Sequence, residues 1–176
     1  MTRHHLNPHD EFAALLRSVR RSSWRWECQS EYAVDRPEVD RWLAGQPAEE
    51  TDDDRAWLAH LARLREAGIP FQRVRVYPDP LNDYAAWMRQ AIGPNVAAGE
   101  DVRWLPEATA AELELPGYDF YLLDNERVAI LEFTDDKELA GVVVDDDPDV
   151  LDEHRLLRDT AWPVATPHAE YVTIAR

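Results

Sequence analysis

The hydrophobic positions of this chain change their period repeatedly, and each change predicts a new element. Apolar residues recur at helical spacing over residues 10–21, which predicts a short amphipathic helix. Residues 23–29 alternate instead, as a strand does. One face of that strand carries Trp24, Trp26 and Cys28, and the other carries Arg25, Glu27 and Gln29. The polar face is therefore expected to be wet or ion-paired.

Two further helices are predicted before the next strand. A weaker helical pattern over residues 36–44 ends at a glycine. The polar loop after it contains Thr51 and Asp54, which have the spacing of a capping box, and the helix that they open ends at Gly68. Residues 9–68 are therefore predicted to be a helix-rich N-terminal part. Residues 1–8 before it are predicted to be a disordered tail.

The next segment has the pattern of a parallel crossover. Residues 71–77 alternate as a strand does. Asp79 and Pro80 suit the N-cap and the first position of a helix. The alternation of Val102 and Trp104 then predicts a short second strand. Strand, helix and strand over this length predict a right-handed βαβ unit with parallel strands.

The last third of the chain predicts an antiparallel meander and a closing helix. Strands are expected at residues 118–123, 127–133 and 139–144, and a tight turn joins the first two. An aspartate–proline pair at 147–148 repeats the cap-and-proline pattern and opens the last helix. Residues 171–174 suit an edge strand.

Together these elements predict one α/β domain over residues 1–176, with its α/β core in residues 69–176. A mixed sheet, made of the parallel βαβ unit and the antiparallel meander, is expected to be flanked by helices. Seven tryptophans in 176 residues indicate a core packed around large rings. The pattern shows no internal repeat and no linker.

Composition excludes several classes of protein. The single cysteine, Cys28, excludes an internal disulfide and a cysteine-based zinc site. The sequence has no apolar run of membrane-spanning length, so we expect a cytoplasmic protein without membrane contact. The formal net charge is −16, from 35 acidic and 19 basic residues, and such a field repels a phosphate backbone. Direct nucleic-acid binding is not expected, whereas the acidity suits a basic partner or simply keeps the chain soluble.

Arginines carry the main candidate site. Arg73 and Arg75 share one face of their strand, Arg103 lies in the next strand, and Arg127 begins the second strand of the hairpin. Converging guanidinium groups at the ends of parallel strands suit a phosphate or carboxylate ligand. The alternative is internal ion pairing. The available acidic partners are Glu27, Glu100, Asp101 and Glu132.

Residues 95–99 offer a second candidate. The segment from Asn95 to Gly99 contains small residues that permit close approach of the backbone, and its free N–H groups suit an anion. A plain connector between helix and strand is the alternative interpretation. The segment matches neither a Walker loop nor a dinucleotide fingerprint.

Catalytic and metal chemistry have weaker support. The acid pairs Glu100 with Asp101, and Glu132 with Asp124, are expected by chance in so acidic a chain. The aspartates of residues 145–149 lack the spacing of a calcium loop, and His60, His154 and His168 are not at metal-ligand spacing. We therefore assign no catalytic residue, no metal and no cofactor.

Several segments together resemble an uncharacterised actinobacterial family, a domain of unknown function. The matching segments are residues 71–76, 81–84, 95–106, 118–124 and 154–162. Genes of that family often lie beside helix-turn-helix regulators, so the resemblance implies a regulatory partner of that kind. It implies no established activity.

A more distant similarity is to phospholipase D-like sensor domains of bacterial regulators. The order of elements is alike, and the similarity implies a phospholipase D-like sheet. The active enzymes have a histidine and a lysine shortly before an aspartate that corresponds to Asp124. Gly117 and Asp119 occupy those two positions here, so the resemblance implies a non-catalytic version.

The leading hypothesis is a non-enzymatic regulatory or sensor module. It would bind a small anionic ligand or a partner protein, such as a helix-turn-helix regulator or another basic protein, and a homodimer is an open option. The expected pocket contains Arg73, Arg75, Asn95, Glu100, Arg103 and Arg127. One competing hypothesis is a hydrolase or transferase that uses Glu100 or Asp101 beside the arginines. Another is an acidic decoy of a DNA-binding surface.

Overall fold

A mixed eight-stranded sheet organises the chain, of which the computed structural model describes residues 2–174. The strands are β1 (Arg3–Leu6), β2 (Ser23–Glu27), β3 (Phe71–Tyr77), β4 (Asp101–Pro106), β5 (Asp119–Leu123), β6 (Arg127–Phe133), β7 (Leu139–Asp145) and β8 (Thr166–Pro167). The helices are α1 (Asp10–Arg17), α2 (Arg36–Leu43), α3 (Asp52–Glu66), α4 (Asp83–Ala91), α5 (Gly93–Ala98), α6 (Glu107–Glu112), α7 (Pro148–Ala161) and α8 (His168–Ile174).

The predicted fold class is confirmed. The strand order is β1-β7-β6-β5-β2-β3-β4-β8, in which β2, β3 and β4 are mutually parallel and the other pairs are antiparallel. The predicted parallel crossover runs from β3 through α4 and α5 to β4. The predicted meander is β5, β6 and β7. The N-terminal part contributes β2 to the centre of this sheet, because β2 lies between β5 and β3.

Alternation in the central strands divides the core into two faces. Trp24, Val74 and Phe120 pack on one face beneath α7. Phe71 and Tyr121 lie on the other face, beneath α1 and α3. A third apolar cluster fills the space between β4, α4 and α8. Burial of these apolar side chains on both faces is the main driving force for the fold.

Two of the predicted helix starts are confirmed by their caps. The Thr51 hydroxyl accepts the Asp54 N–H at 3.1 Å, and an Asp54 carboxylate oxygen accepts the Thr51 N–H at 2.8 Å. This reciprocal capping box starts α3. The Asp147 carboxylate accepts the Asp149 N–H at 2.9 Å and starts α7.

Three predicted elements differ in the structure. Residues 3–6, predicted to be tail, pair antiparallel with β7 and satisfy backbone groups on its outer edge. The helix after β3 begins with Asn82, whose side chain accepts the Ala85 N–H at 2.8 Å, and not with the cis Asp79–Pro80 pair. Residues 171–174 are helical, and the edge strand is β8. Within α8, Tyr171 stacks on Trp104 with ring centroids 4.6 Å apart.

Residues 2–174 contain no helix with the length and apolar character that a membrane span requires.

The connection between α5 and β4 depends on Gly99. Its φ of +118° lies in the region that favours glycine, and a Cβ built there would lie 2.8 Å from Cβ of Arg65. Arg65 is itself held, since its Nη1 donates to the Ala97 carbonyl at 2.9 Å. The Arg65 side chain therefore has little room to move away from a new Cβ at position 99.

We expect Gly99→Ala to lower the free energy of unfolding by about 1–3 kcal/mol, because the new side chain is both strained and obstructed. Gly93→Ala, at the start of the same helix, is the matched control, since a Cβ there meets nothing within 4 Å. Urea unfolding of both variants measures the effect. Equal free energies for the two variants would contradict this account.

Candidate functional site

A buried ion cluster covers the polar face of the central strands β2, β3 and β5. Its members are Arg25, Glu27, Arg73, Arg75, Glu100 and Asp119. Alternation places these side chains together, because Arg25 pairs in register with Arg73, and Glu27 with Arg75. Glu27 and Arg75 are each only 1% exposed, so the charges lie inside the molecule and depend on one another.

Arg73 joins two carboxylates within the cluster. Its Nη1 donates to Oε2 of Glu27 at 2.9 Å, and its Nε donates to Oε1 of Glu100 at 2.7 Å. The other oxygen of Glu100 accepts the Asn95 amide N–H at 2.8 Å. Both oxygens of Glu100 are therefore engaged by the protein itself.

Arg75 is held from the opposite side of the cluster. Its Nη2 donates to the Gln29 carbonyl at 2.7 Å, and its Nη1 donates to the Tyr32 hydroxyl at 3.3 Å. The Tyr32 hydroxyl donates in turn to the Asp119 carboxylate. The guanidinium carbon of Arg75 also lies 5.2 Å from the ring centroid of Tyr84. Aromatic rings therefore complete the cover over the charges.

Glu27 is the acid on which the arginines converge. Burial by itself would raise the pKa of this carboxyl group. The positive charges of Arg25, Arg73 and Arg75 outweigh burial and lower its pKa from 4.5 to about 2. Glu27 is therefore ionised at neutral pH, and the cluster balances three guanidinium groups against three carboxylates.

The structure thus favours the internal ion pairing considered as the alternative for Arg73 and Arg75. Asn95 and Glu100 lie beside Arg73, and these three residues bind one another. Arg75 instead binds Gln29 and Tyr32. Asp101, the second acid of the enzyme hypothesis, is exposed at the start of β4. Among residues 2–174, the charged groups of this cluster are therefore bound to one another or to neighbouring groups of the protein.

Arg103 does not converge with Arg73 and Arg75, which corrects the predicted clamp. In the parallel register Arg103 pairs with Val74, whereas Arg73 pairs with Val102, so Arg103 projects from the opposite face of the sheet. Its Nη1 donates to the Trp162 carbonyl at 3.0 Å, and its guanidinium carbon lies 3.9 Å from the Trp162 ring centroid.

Arg127 lies apart from the cluster as well. Its Nη2 is 3.3 Å from Oδ2 of Asp124, at the turn between β5 and β6. The other oxygen of Asp124 accepts the backbone N–H groups of Arg20, Arg21 and Ser22. Asp124 therefore fastens the turn to the start of β2, and Arg127 supports that contact.

The backbone of residues 95–99 is also occupied. This segment was considered as an anion loop, but most of it belongs to α5. The N–H groups of Gly99 and Glu100 both donate to the Asn95 carbonyl, at 3.1 and 3.0 Å. These N–H groups close the helix end and are not available to an anion.

An open space lies instead beside α7, in a groove that we call the acidic groove. Its volume is about 680 Å³. The side chains that decide its chemistry are Arg3, Gln29, Tyr118, Glu132, Phe133, Asp145, Glu153 and His154. Three carboxylates face one guanidinium in this set, and Arg3 lies 3.9 Å from Asp145.

Tyr118 and His154 form the polar wall of the acidic groove. The Val150 carbonyl accepts a hydrogen bond at 2.7 Å, so Nδ1 of His154 carries the proton. In the neutral ring Nε2 then accepts from the Tyr118 hydroxyl at 3.2 Å. Burial, and then the negative charge of Glu153, raise the pKa of Tyr118. The tyrosine therefore stays protonated at neutral pH.

Gln29 connects the acidic groove with the buried ion cluster. Its side-chain oxygen accepts from Lys137 at 3.0 Å, while its backbone carbonyl accepts from Arg75. Sequence reasoning missed the groove, although it noted Glu132 and His154 separately. The acidic run at residues 145–149 was the one signal near it, and that run was interpreted as a helix cap.

A second cavity of about 480 Å³ lies at the other end of α7. Its lining includes Trp24, Gln72, Asn125, Arg158, Asp159 and Trp162. Arg103 stacks on the outermost of these rings, Trp162. The predicted site residue Arg103 thus supports the wall of this cavity.

Metal and thiol chemistry have no assembled site in the described part of the chain. No three histidine, cysteine or acidic side chains among residues 2–174 are grouped so that they could hold a metal ion. Cys28 lies against the Asp119 carboxylate, with its sulfur 3.3 Å from Oδ1. Burial, and then the charge of Asp119, raise the pKa of this thiol, which disfavours a reactive thiolate.

We expect Glu27→Gln to lower the free energy of unfolding by about 3–5 kcal/mol, because three arginines would lose their shared counter-ion inside the protein. Glu126→Gln is the matched control, since Glu126 forms an exposed ion pair with Arg21 and should cost less than about 1 kcal/mol. Urea unfolding at neutral pH compares the two. Similar costs would show that the cluster is not a structural centre.

The lowered pKa of Glu27 also predicts a pH dependence. A lowered pKa stabilises the fold above the ordinary value of 4.5, and this stabilisation is lost as pH falls toward about 2. Below pH 4.5 we expect the wild-type unfolding free energy to fall more steeply than that of Glu27→Gln, by up to about 1.4 kcal/mol per pH unit. Urea titrations at a series of pH values measure both slopes. Parallel slopes would contradict the assignment.

Comparison with solved structures finds a protein of similar fold. The structure of TrmBL2, described as an archaeal chromatin protein with a novel mode of DNA binding, superposes with a TM-score of 0.53 at 10% sequence identity. The match covers 94% of this chain and 52% of that one, so this chain spans about half of its length. At this identity the similarity concerns the fold alone. A search of curated proteins finds no match.

A family model matches residues 10–173. This range contains the buried ion cluster, both ends of α7 and every strand except β1. The chain therefore belongs to the family described as a domain of unknown function, DUF6879.

Proposed function

We propose that this domain is a non-enzymatic regulatory module that binds a basic segment of a partner protein in the acidic groove. A helix-turn-helix regulator is the kind of partner that we expect. One observation carries the proposal: the arginines of the central strands are neutralised internally, while an open groove beside α7 is lined by carboxylates. The groove therefore offers a partner an acidic surface.

Charge complementarity supports a basic occupant. Glu132, Asp145 and Glu153 line the groove, and the acidic run at residues 145–149 continues from its rim. The net charge of −16 adds a long-range field that attracts a cationic segment and speeds its association. Tyr118 and Phe133 supply aromatic surface, to which lysine and arginine side chains bind favourably.

The lining also supports a role without catalysis. Gly117 lies in the groove at the position that corresponds to the nucleophilic histidine in the distant phospholipase D-like resemblance. Asp119, at the position of the lysine, is fully buried and accepts the Tyr32 hydroxyl. Glu100, the acid of the competing enzyme hypothesis, has both oxygens engaged.

The similarity to a DNA-binding chromatin protein does not favour DNA as the ligand. A net charge of −16 opposes a phosphate backbone, whereas it favours the basic surface of a DNA-binding protein. The decoy hypothesis shares this partner but expects an acidic face without a pocket. The defined groove favours a module that grips a particular basic segment.

A labelled arginine–glycine repeat peptide tests the proposal by fluorescence anisotropy. We expect the double variant Glu132→Gln, Glu153→Gln to bind this peptide about 10-fold more weakly at low salt, because two groove carboxylates are lost. The affinity of the wild type should fall as salt rises.

The double variant Glu66→Gln, Glu170→Gln removes the same charge from exposed positions elsewhere, on α3 and α8. Its affinity should stay within about 2-fold of the wild type. Equal weakening in both double variants would mean that only the overall field attracts the peptide. That result, or an absence of binding at low salt, would refute the groove assignment.

A further inference from the structure

Strand β1 is a thin cover on the edge of the sheet. Its four residues are exposed or half-buried, and the Arg3 side chain is 69% exposed. Leu6 is the one apolar residue among the four. The family model begins at residue 10, so it includes all of β7 but not the strand that covers its edge. Backbone pairing with β7 is therefore the main attachment of β1.

The register of this pairing places one side chain of β1 in the acidic groove. Arg3 lies opposite Asp145, and both line the groove. Because side chains alternate between the two faces of a strand, His5 shares the groove face with Arg3. Leu6 lies on the other face, where it joins the apolar cluster beneath α1 and α3. β1 thus presents a cation to the groove and an apolar side chain to the core.

Arg3 occupies the place that a cation of the proposed partner would take. It is the one guanidinium among the residues that line the groove, and its Nη1 lies 3.9 Å from Oδ2 of Asp145. An ion pair with so exposed an arginine contributes little to stability. Another guanidinium or ammonium group therefore replaces Arg3 at little cost.

Replacement of β1 suits a basic segment better than addition outside it. Neighbouring strands are spaced about 4.8 Å apart, so a strand added outside β1 would lie that much farther from the groove carboxylates. A strand in the place of β1 pairs with β7 directly and brings its own cation to Asp145. The edge of β7 keeps its backbone hydrogen bonds during such an exchange.

We propose that the basic segment of the partner binds as an extended strand along β7 and displaces β1. Arginine or lysine at alternate positions faces the groove, and apolar residues between them take the place of Leu6. β1 is then a built-in competitor that covers the binding edge while the partner is absent. This inference rests on the proposed function, because it assumes that the acidic groove binds a basic segment.

A disulfide between β1 and β7 tests whether β1 must leave. The Asp146 N–H donates to the Thr2 carbonyl at 3.3 Å, and hydrogen-bonded pairs alternate along the strands from there. His5 and Val143 consequently form a non-hydrogen-bonded pair. The Cα atoms of such pairs lie about 4.5 Å apart, a separation that a disulfide spans. The full chain with His5→Cys and Val143→Cys therefore holds β1 in place when it is oxidised.

The probe is a labelled octapeptide of alternating arginine and valine, and its binding is measured by fluorescence anisotropy at low salt. We expect the oxidised variant to bind at least about 10-fold more weakly than the same chain after reduction, because β1 no longer detaches. The wild type, whose single cysteine is Cys28, should bind equally under both conditions. Thiol titration verifies that the disulfide has formed. Equal affinity of the oxidised and reduced variant would overturn the displacement of β1.

His4→Pro and His5→Pro form a matched pair that needs no disulfide. His4 lies in a hydrogen-bonded pair with Val144, so proline there removes a bond to β7, whereas the His5 N–H points away from β7. We expect His4→Pro to strengthen binding of the octapeptide by about 3–10-fold, because β1 detaches more readily. His5→Pro should change the affinity by less than about 2-fold. An unchanged or lower affinity of His4→Pro would contradict the displacement.

The two peptides separate this inference from the proposed function. If the wild type binds the arginine–glycine peptide but not the alternating octapeptide, binding as a strand is overturned and the groove assignment stands. If it binds neither peptide, the groove assignment fails, and the inference fails with it.

Discussion

The pairing of Glu27 with three arginines is the interaction on which the central sheet depends. Arg25 and Arg73 are neighbours in register on adjacent parallel strands, and Arg75 lies two residues further along. Without an acid between them, three positive charges would share one buried face. Glu27 accepts from Arg73 and lies within 3.6 Å of Arg75. Together with Glu100 and Asp119, it neutralises these arginines and allows β2 and β3 to lie side by side.

This constraint also decides where recognition can occur. The face of the sheet that carries the buried ion cluster is closed by these charges and by the aromatic rings of Tyr32 and Tyr84. The two open spaces described above lie on the other face, where α7 covers only part of the sheet. The interior charges thus serve the stability of the fold, and two open spaces lie at the two ends of α7.

The sequence allowed much of the fold to be predicted, because the relevant signals are local. Alternation defined β2 and β3 with their polar faces, and the spacing of Thr51 and Asp54 identified the start of α3. Where two local signals of similar strength competed, the prediction was wrong. Asn82 caps α4 in place of Asp79, and both residue types are good caps. Strand β1 depends on an edge of β7 more than one hundred residues away, which no local pattern reveals.

The site was harder to predict, because it depends on register and on distant pairs. Arg73, Glu100 and Asn95 were correctly expected to lie close together. Arg103 was expected beside them, but the parallel register places it one residue out of phase and therefore on the other face. The groove needs Glu132 from β6 and Glu153 from α7, and their approach follows only from the packing of that helix on the sheet. The chain contains so many acidic residues that the sequence did not distinguish these two from the rest.

Helix α7 contributes to both open spaces: Glu153 and His154 line the groove, and Arg158 and Asp159 line the second cavity. The distance between these two pairs is little more than one helical turn, and a helix moves as a rigid rod over such a length. An occupant that moved this helix at one end would therefore change the shape of the other end. If ligands bound at both ends, thermodynamic linkage would require each to change the affinity for the other by the same factor. Whether two such ligands opposed or assisted each other would then depend on how α7 packs on the sheet.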